Sequence, residues 1–155
     1  RAVGMNHTAG LSSPQQVQMS LFALDAILDV DGGRKRCLRE LLRRRFEALY
    51  RGAGLSLPAH ELHSHYYATL DVPHIARVRY GTKFAAWLVE TFEPIDFVVR
   101  LAREHGIVLL DGGGFDAPRM SVRISLANLP DEAYEPIGRA ICALLADYHT
   151  RWSAG

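Results

Sequence analysis

A single arginine, Arg123, stands on one face of a short apolar strand predicted over residues 121–128. Because side chains alternate along a strand, the larger apolar residues point to the opposite side: Val122, Ile124 and Leu126. The neighbours on the arginine's own face are small: Ser121, Ser125 and Ala127. A planar guanidinium with room around it can hold a carboxylate through two parallel hydrogen bonds. An arginine on the wet face of an edge strand is usually only solvated, so this strand alone leaves both interpretations open.

Other sets of reactive residues give weaker signals. His60, His63 and His65 come closest to a metal site, with the last two expected on one strand face, but no Cys or carboxylate joins them at a recognised ligand spacing. The glycines at 112–114 follow a predicted strand without a helix after them, unlike a phosphate-binding loop. We expect them to let the backbone turn tightly beside the arginine strand. The sequence shows no Ser-His-Asp or Cys-His arrangement, so no self-contained active site is predicted.

Composition indicates one domain with a substantial core, because the chain has 155 residues and 48% hydrophobic content. The formal net charge of +1 gives no electrostatic reason to expect nucleic acid or a membrane as a partner. Cys37 and Cys142 have no metal-ligand spacing, which favours a reducing cytoplasm. No apolar run approaches the ~20 residues of a membrane span, and no signal peptide is visible. The opening at Arg1 without a methionine suggests a piece of a longer protein.

Two long helices are predicted to lead the chain. Ser13, Pro14 and Gln16 are typical of a helix start, and the helix to about Val30 is apolar around most of its circumference. Such a helix is expected to be buried on several sides, in part by another subunit or by residues outside this chain. The second helix is predicted over 34–51 and ends at glycines 52 and 54. Its predicted buried stripe is Leu38, Leu41, Leu42, Phe46 and Leu49.

The second helix also carries a strongly basic face. Its members are Arg34, Lys35, Arg36, Arg39, Arg43, Arg44 and Arg45. Basic helix faces can bind nucleic acid or membranes, but no aromatic residues interleave with these cations. We therefore expect a solvated helix face, some of whose charges could pair with another subunit.

The remaining elements alternate between helix and strand. The pattern predicts a strand at 65–71, helices at 73–80, 82–92 and 94–106, a buried strand at 107–110, a loop at 115–120 and the arginine strand. The last helix begins at Asp131, and its apolar stripe is Tyr134, Ile137, Ile141, Leu144, Leu145, Tyr148 and Trp152. This layout predicts an α+β fold of two or three strands with helices packed around them.

Several of these segments, taken in order, resemble the C-terminal part of fold-type-I pyridoxal-phosphate enzymes of the aminotransferase class I/II superfamily, specifically the bacterial aspartate 4-decarboxylases. The matching segments are 6–19, 102–110, 112–118 and 121–132. The Arg-Ile-Ser-Leu-Ala run at 123–127 is common to many aminotransferases. The Asn-His-Thr-Ala-Gly-Leu-Ser opening and the Gly-Gly-Gly-Phe-Asp-Ala-Pro run narrow the resemblance to the decarboxylase branch.

The resemblance implies a small C-terminal domain with a short, mostly antiparallel sheet over 31–155, preceded by the tail of a large cofactor-binding domain over 1–30. It implies that Arg123 binds the substrate's α-carboxylate, and that Asn6, His7 and Thr8 approach an active site, often that of a partner subunit. The implied reaction converts L-aspartate to L-alanine and carbon dioxide, with side aspartate aminotransferase activity and pyridoxal 5′-phosphate as the electron sink. It also implies a cytoplasmic homo-oligomer of two or more subunits, without nucleic-acid or membrane partners.

The resemblance places the cofactor lysine, the phosphate-binding loop and the aspartate on the pyridine nitrogen upstream of Arg1. Neither Lys35 nor Lys83 matches the cofactor lysine, so no catalytic residue is assigned here and the chain alone is expected to be inactive. Two other hypotheses remain. The chain could belong to an aminotransferase that does not decarboxylate, or it could be a non-catalytic oligomerisation module built on its first two helices.

Overall fold

The computed structural model of the protein describes residues 12–58 and 63–155. The helices in these ranges are α1 (Ser13–Leu28), α2 (Gly33–Ala53), α3 (Val72–Tyr80), α4 (Thr82–Thr91), α5 (Pro94–His105) and α6 (Tyr134–Ala154). The strands are β1 (Tyr67–Asp71), β2 (Leu110–Asp111) and β3 (Ser121–Ser125), which form an antiparallel sheet in the order β1-β3-β2. The predicted α+β class is therefore confirmed. The chain divides into two compact units, one ending at Leu38 and the other covering Arg39–Gly155.

In the first unit, α1 begins with a reciprocal cap. The Ser12 N–H donates to the Gln15 side chain at 2.9 Å, and the Ser12 side chain caps the first turn in return. The helix therefore starts one residue earlier than the predicted pair of Ser13 and Gln16. Between α1 and α2, the Asp29 carboxylate accepts the backbone N–H groups of Arg34 and Lys35 at 3.0 Å. These two bonds lower the pKa of Asp29.

The prediction that α1 is buried is not met within its unit. None of its residues is buried, and Phe22 and Ile27 are 74% and 72% exposed. The helix is apolar, but the described residues of this unit, 12–38, leave its apolar side chains exposed.

The core of the second unit lies between the inner face of the sheet and the helices. Val122, Ile124 and Leu126 are buried, as the alternation predicts. On α6 the whole predicted stripe is buried except Trp152, which is partly buried. Of the predicted stripe of α2, Phe46 and Leu49 are buried, Leu41 and Leu42 are partly buried and Leu38 is exposed.

The crossing of α2 and α6 depends on two glycines. A Cβ atom at Gly52 would lie 2.1 Å from the carbonyl oxygen of Glu135, and one at Gly138 would lie 2.3 Å from that of Leu49. The two backbones therefore touch where they cross. Gly52 was predicted to end α2 but lies inside it; the end comes at Gly54, whose φ is +61°.

Three helices have bounds within one residue of those predicted. The Asp71 carboxylate caps α3 by accepting the N–H of His74 at 2.9 Å. Gly81, with φ of +92°, separates α3 from α4. Helix α5 starts at Pro94 and ends before Gly106, which adopts the left-handed conformation.

Two predicted strands are shorter than expected. The first begins only at Tyr67, because His65 has a φ of +55° that a strand cannot include. Residues 107–110 do not form a buried strand: only Leu110 and Asp111 pair with β3, and Val108 is 82% exposed. The segment is apolar because it forms a wall of a cleft, described below. No helix in the described ranges has both the length and the apolar character needed to cross a bilayer.

Candidate functional site

Arg123 lies at the centre of the sheet. It is on β3 between β1 and β2, directly opposite Thr69 on one side and Leu110 on the other. The assumption that its strand is an edge strand is thus wrong. The side chain is partly buried and points away from the core face that holds Val122 and Ile124.

Arg123 lines a cleft of about 670 Å³ in the second unit. This volume falls in the range of small-molecule sites. Its apolar lining comes from the segment 107–110 and from residues around the start of α6, including Leu129, Pro136 and Ile137. The lining residues with polar side chains, apart from Arg123, are Tyr67, His105, Ser125 and Asn128. A charged group beside mainly apolar walls suits a small ligand with one anionic end.

Two aromatic rings enclose the guanidinium. Its central carbon lies 3.9 Å from the ring centroid of Tyr67 and 3.9 Å from that of Phe115. A cation over an aromatic face is stabilised by about 0.5–2 kcal/mol, depending on how far it is desolvated. With rings against the guanidinium, its N–H donors are left for ligands that approach in the plane of the group.

Arg123 has no acidic partner in the described part of the chain. No carboxylate of residues 12–58 or 63–155 lies within salt-bridge distance of its guanidinium, whereas Arg45 pairs with Asp131 and Arg100 with Asp147, each at 2.6 Å. A partly buried cation without a counter-charge favours binding of an anion. The arrangement of ring faces and free donor edges fits a carboxylate in particular.

Phe115 reaches the arginine from the glycine turn at Gly112–Phe115. The turn follows Asp111, whose carboxylate accepts the N–H of Gly113 at 3.3 Å. A Cβ atom at Gly112 would lie 2.8 Å from the Cβ of Ser121, so the turn approaches β3 as closely as predicted. This close approach also corrects one expectation, because Ser121 is buried under the turn and does not lie on an open face.

Four other candidate residues, Asn6, His7, Thr8 and His60, lie outside the described residues. His63 and His65 have ring centroids 4.7 Å apart, and His63 Nδ1 accepts the His65 N–H at 3.0 Å.

The two histidines precede β1 and do not share a strand face as predicted. Burial and the neighbouring His63 lower the pKa of His65. Within 12–58 and 63–155, no three His, Cys, Asp or Glu side chains are placed to hold a metal ion.

The basic face of α2 is partly neutralised by acids of the same chain. Arg43 pairs with Glu40 at 2.6 Å and also with Glu47. Arg45 pairs with Asp131 at 2.6 Å, and Arg44 with the same carboxylate at 3.3 Å. These cations therefore pair within the chain. Arg45 departs from the predicted solvated face, because its side chain is only 12% exposed.

Tyr67 and Phe115 are the site residues that sequence reasoning missed. Tyr67 was included in a predicted strand, but its place beside Arg123 depends on the register between β1 and β3. Phe115 belongs to the quoted glycine run, and a signal was available there: an aromatic residue directly after a turn expected to lie beside the arginine strand.

Enzymes that use pyridoxal phosphate hold it through a lysine. The chain has two lysines, Lys35 near the start of α2 and Lys83 on α4, and neither lines the cleft. The side chains that line the cleft therefore include Arg123 and neither lysine.

No family model matches the chain. The chain is 42% identical over 154 residues, 99% of its length, to the bifunctional aspartate aminotransferase and L-aspartate beta-decarboxylase of Pseudomonas sp. It spans 29% of the length of that relative. The resemblance stated from the motifs is thus confirmed, and the chain is related over almost its whole length to the C-terminal part of a bacterial bifunctional aspartate aminotransferase and aspartate decarboxylase.

Proposed function

We propose that this chain supplies the substrate-carboxylate site of a pyridoxal-phosphate-dependent L-aspartate 4-decarboxylase with side aspartate aminotransferase activity. The observation that carries the proposal is the guanidinium of Arg123, which lies at a cleft between two rings and has no acidic partner in the described residues. The relative from Pseudomonas sp is named for both activities, which supports the same pair of reactions here.

Arg123 binds the α-carboxylate of L-aspartate through two parallel N–H···O bonds. Anchoring this end of a dicarboxylic amino acid determines the position of the other end, so the carboxylate that is lost is selected by orientation. The apolar wall at 107–110 keeps water from the ion pair and so strengthens it. In this proposal, the cofactor site that the bond-breaking step needs lies in another part of the full-length protein.

The same proposal assigns residues 1–30 to the tail of a cofactor-binding domain and 31–155 to the small domain, in a cytoplasmic homo-oligomer. The exposed apolar surface of α1 supports this assignment, because an apolar surface that the described residues leave uncovered is typical of an interaction site. Asn6, His7 and Thr8 approach the active site of the same or a partner subunit in this proposal. The α1 surface equally favours a second candidate function, a non-catalytic oligomerisation module.

The direct test is Arg123→Ala in the full-length protein, assayed with L-aspartate. Losing a desolvated, hydrogen-bonded charge pair costs ~2–5 kcal/mol, so kcat/KM should fall about 30- to 5,000-fold. The control is Arg119→Ala, since Arg119 lies just before β3, is 55% exposed and pairs only with exposed Glu93 among the described residues. Unchanged turnover in Arg123→Ala would favour the oligomerisation module.

Product analysis of the same full-length protein separates the two enzyme hypotheses. L-alanine and carbon dioxide from L-aspartate alone would show decarboxylation. Formation of oxaloacetate that requires an added 2-oxo acid, without carbon dioxide release from the β-carboxylate, would identify an aminotransferase that does not decarboxylate.

A separate test concerns the 155-residue chain by itself. After incubation with pyridoxal phosphate and reduction with borohydride, we expect only scattered, substoichiometric labelling, because Lys35 and Lys83 lie away from the cleft. A stoichiometric adduct at one lysine, seen by absorbance and peptide mapping, would contradict the assignment of the cofactor lysine to another part of the protein.

A further inference from the structure

We propose that Tyr67 and Phe115 are positioning residues that hold the guanidinium of Arg123 in one plane and thereby set the orientation of the bound carboxylate. The inference rests on the proposed function, since it assigns a role to the neighbours of the same arginine. It adds two residues that contact neither the reacting atoms nor, in this role, the substrate itself.

The first ring comes from the strand beside Arg123. Tyr67 is paired with Ser125 in the β1–β3 register, so it lies diagonal to Arg123 on the same face of the sheet. Diagonal neighbours in an antiparallel pair are within reach of an aromatic side chain. The backbone pairing of two strands therefore determines where this ring lies, and its centroid is 3.9 Å from the guanidinium carbon.

The second ring comes from a turn and not from a strand. Phe115 ends the 3-10 turn that begins at Gly112, and the next residue, Asp116, has a φ of +56°. The ring is half exposed, so burial in the core does not explain its position. The 3.9 Å contact with Arg123 does explain it.

No hydrogen bond or ion pair from the described residues holds the guanidinium of Arg123. An arginine side chain has several rotatable bonds and loses rotamer entropy when it is ordered on ligand binding. Two rings at 3.9 Å restrict the group before the ligand arrives, while leaving its N–H edges free. The rings therefore preorganise the arginine for a planar anion that approaches edge-on.

The test uses the full-length enzyme with four variants in matched pairs. Phe115→Leu and Tyr67→Leu remove a ring, whereas Phe115→Tyr and Tyr67→Phe keep one. We expect each leucine variant to raise the KM for L-aspartate and the inhibition constant for succinate about 10-fold, with kcat within about twofold, because ground-state anchoring is what is lost. Each aromatic variant should stay within about twofold of the wild type in all three constants.

The effect should also depend on Arg123. In an Arg123→Ala background, Phe115→Leu should change neither the KM for L-aspartate nor the inhibition constant for succinate any further. The guanidinium that Phe115 positions is absent from that background. Melting temperatures of all variants are measured alongside. Aromatic variants that lose as much as the leucine variants, or a leucine effect on kcat and melting temperature without one on KM, would overturn the positioning role.

Failure of this inference can be told from failure of the proposed function. If Arg123→Ala leaves the KM for L-aspartate unchanged, the carboxylate assignment fails. If Arg123→Ala raises KM but neither leucine variant does, the arginine still binds the carboxylate and only the role of the rings is refuted.

Discussion

Two arginines of the second unit make similar contacts with aromatic rings but differ in their charged neighbours. The guanidinium carbon of Arg100, on α5, lies 4.5 Å from the ring centroid of Tyr148 on α6. Arg100 also donates to Glu104 at 2.7 Å and to Asp147 at 2.6 Å. Arg123 contacts two rings and no carboxylate of the described residues.

The difference shows that an aromatic contact alone does not reveal what an arginine does. Hydrogen bonds, that to Glu104 above all, raise the pKa of Arg100, and those same bonds lower the pKa of Glu104 and of Asp147. Arg100 is therefore neutralised within the chain and joins α5 to α6. Arg123 is held by rings that leave its charge uncompensated, and it is available to a ligand.

Among variants that test the difference between Arg123 and Arg100, we expect the largest loss of activity from Arg123→Lys in the full-length enzyme. Lysine keeps the positive charge but loses the planar fork of donors and the stacking surface. We expect kcat/KM for L-aspartate to fall about 10- to 100-fold, the loss of one to two charge-assisted bonds, with an unchanged melting temperature. A lysine variant as active as the wild type would mean that charge alone suffices.

Arg100→Ala should produce the opposite pattern. The variant loses the contact with Tyr148 and the packing of the aliphatic stem, whose side chain is only 17% exposed, and we expect about 1–2 kcal/mol of destabilisation. Denaturant unfolding measures this loss, while kcat/KM at a temperature where the variant is folded should match the wild type. An Arg100→Ala variant that loses activity without losing stability would contradict the purely structural role of Arg100.

The smallest effect is the pH dependence of the Arg100 cluster. The pKa values of Glu104 and Asp147 are lowered in the folded protein, so the stability that they contribute is present above the ordinary carboxyl range, about pH 4–4.5, and is lost as the pH falls below it. The stability difference between wild type and Arg100→Ala should therefore shrink between about pH 6 and pH 3.

Unfolding curves at several pH values check this prediction. Because both carboxylates are 45% exposed, salt should weaken the effect. A difference that grows toward acid pH would show that the pairing does not stabilise the fold. Arg119→Ala is a suitable control, since its pair with Glu93 is on the surface, with side chains 55% and 73% exposed.

Much of the local structure follows from short sequence signals. Pro94 and Gly106 bound α5, and Gly81 separates α3 from α4, because proline and left-handed glycine act within one turn of their own position. Other predictions failed where long-range packing decides. Gly52 is an ordinary helix terminator by sequence, but the close approach of Gly138, 86 positions away in the chain, keeps it inside α2.

The segment 107–110 and the helix α1 are two further cases in which the sequence did not predict the packing. Both are apolar, and apolar composition predicts burial without saying what provides the cover. In the second unit the apolar segment forms the wall of a cleft and is partly exposed. In the first unit, the described residues 12–38 leave the apolar side chains of α1 exposed.

For the candidate site, the sequence by itself determined that Arg123 stands among small residues on the face opposite Val122 and Ile124, because side-chain alternation is a local property of a strand. The motifs around it also determined the family. Only the tertiary structure decided that Tyr67 and Phe115 enclose the guanidinium and that no described carboxylate neutralises it. These facts depend on strand register and on the path of a glycine turn, which bring together residues far apart in the chain.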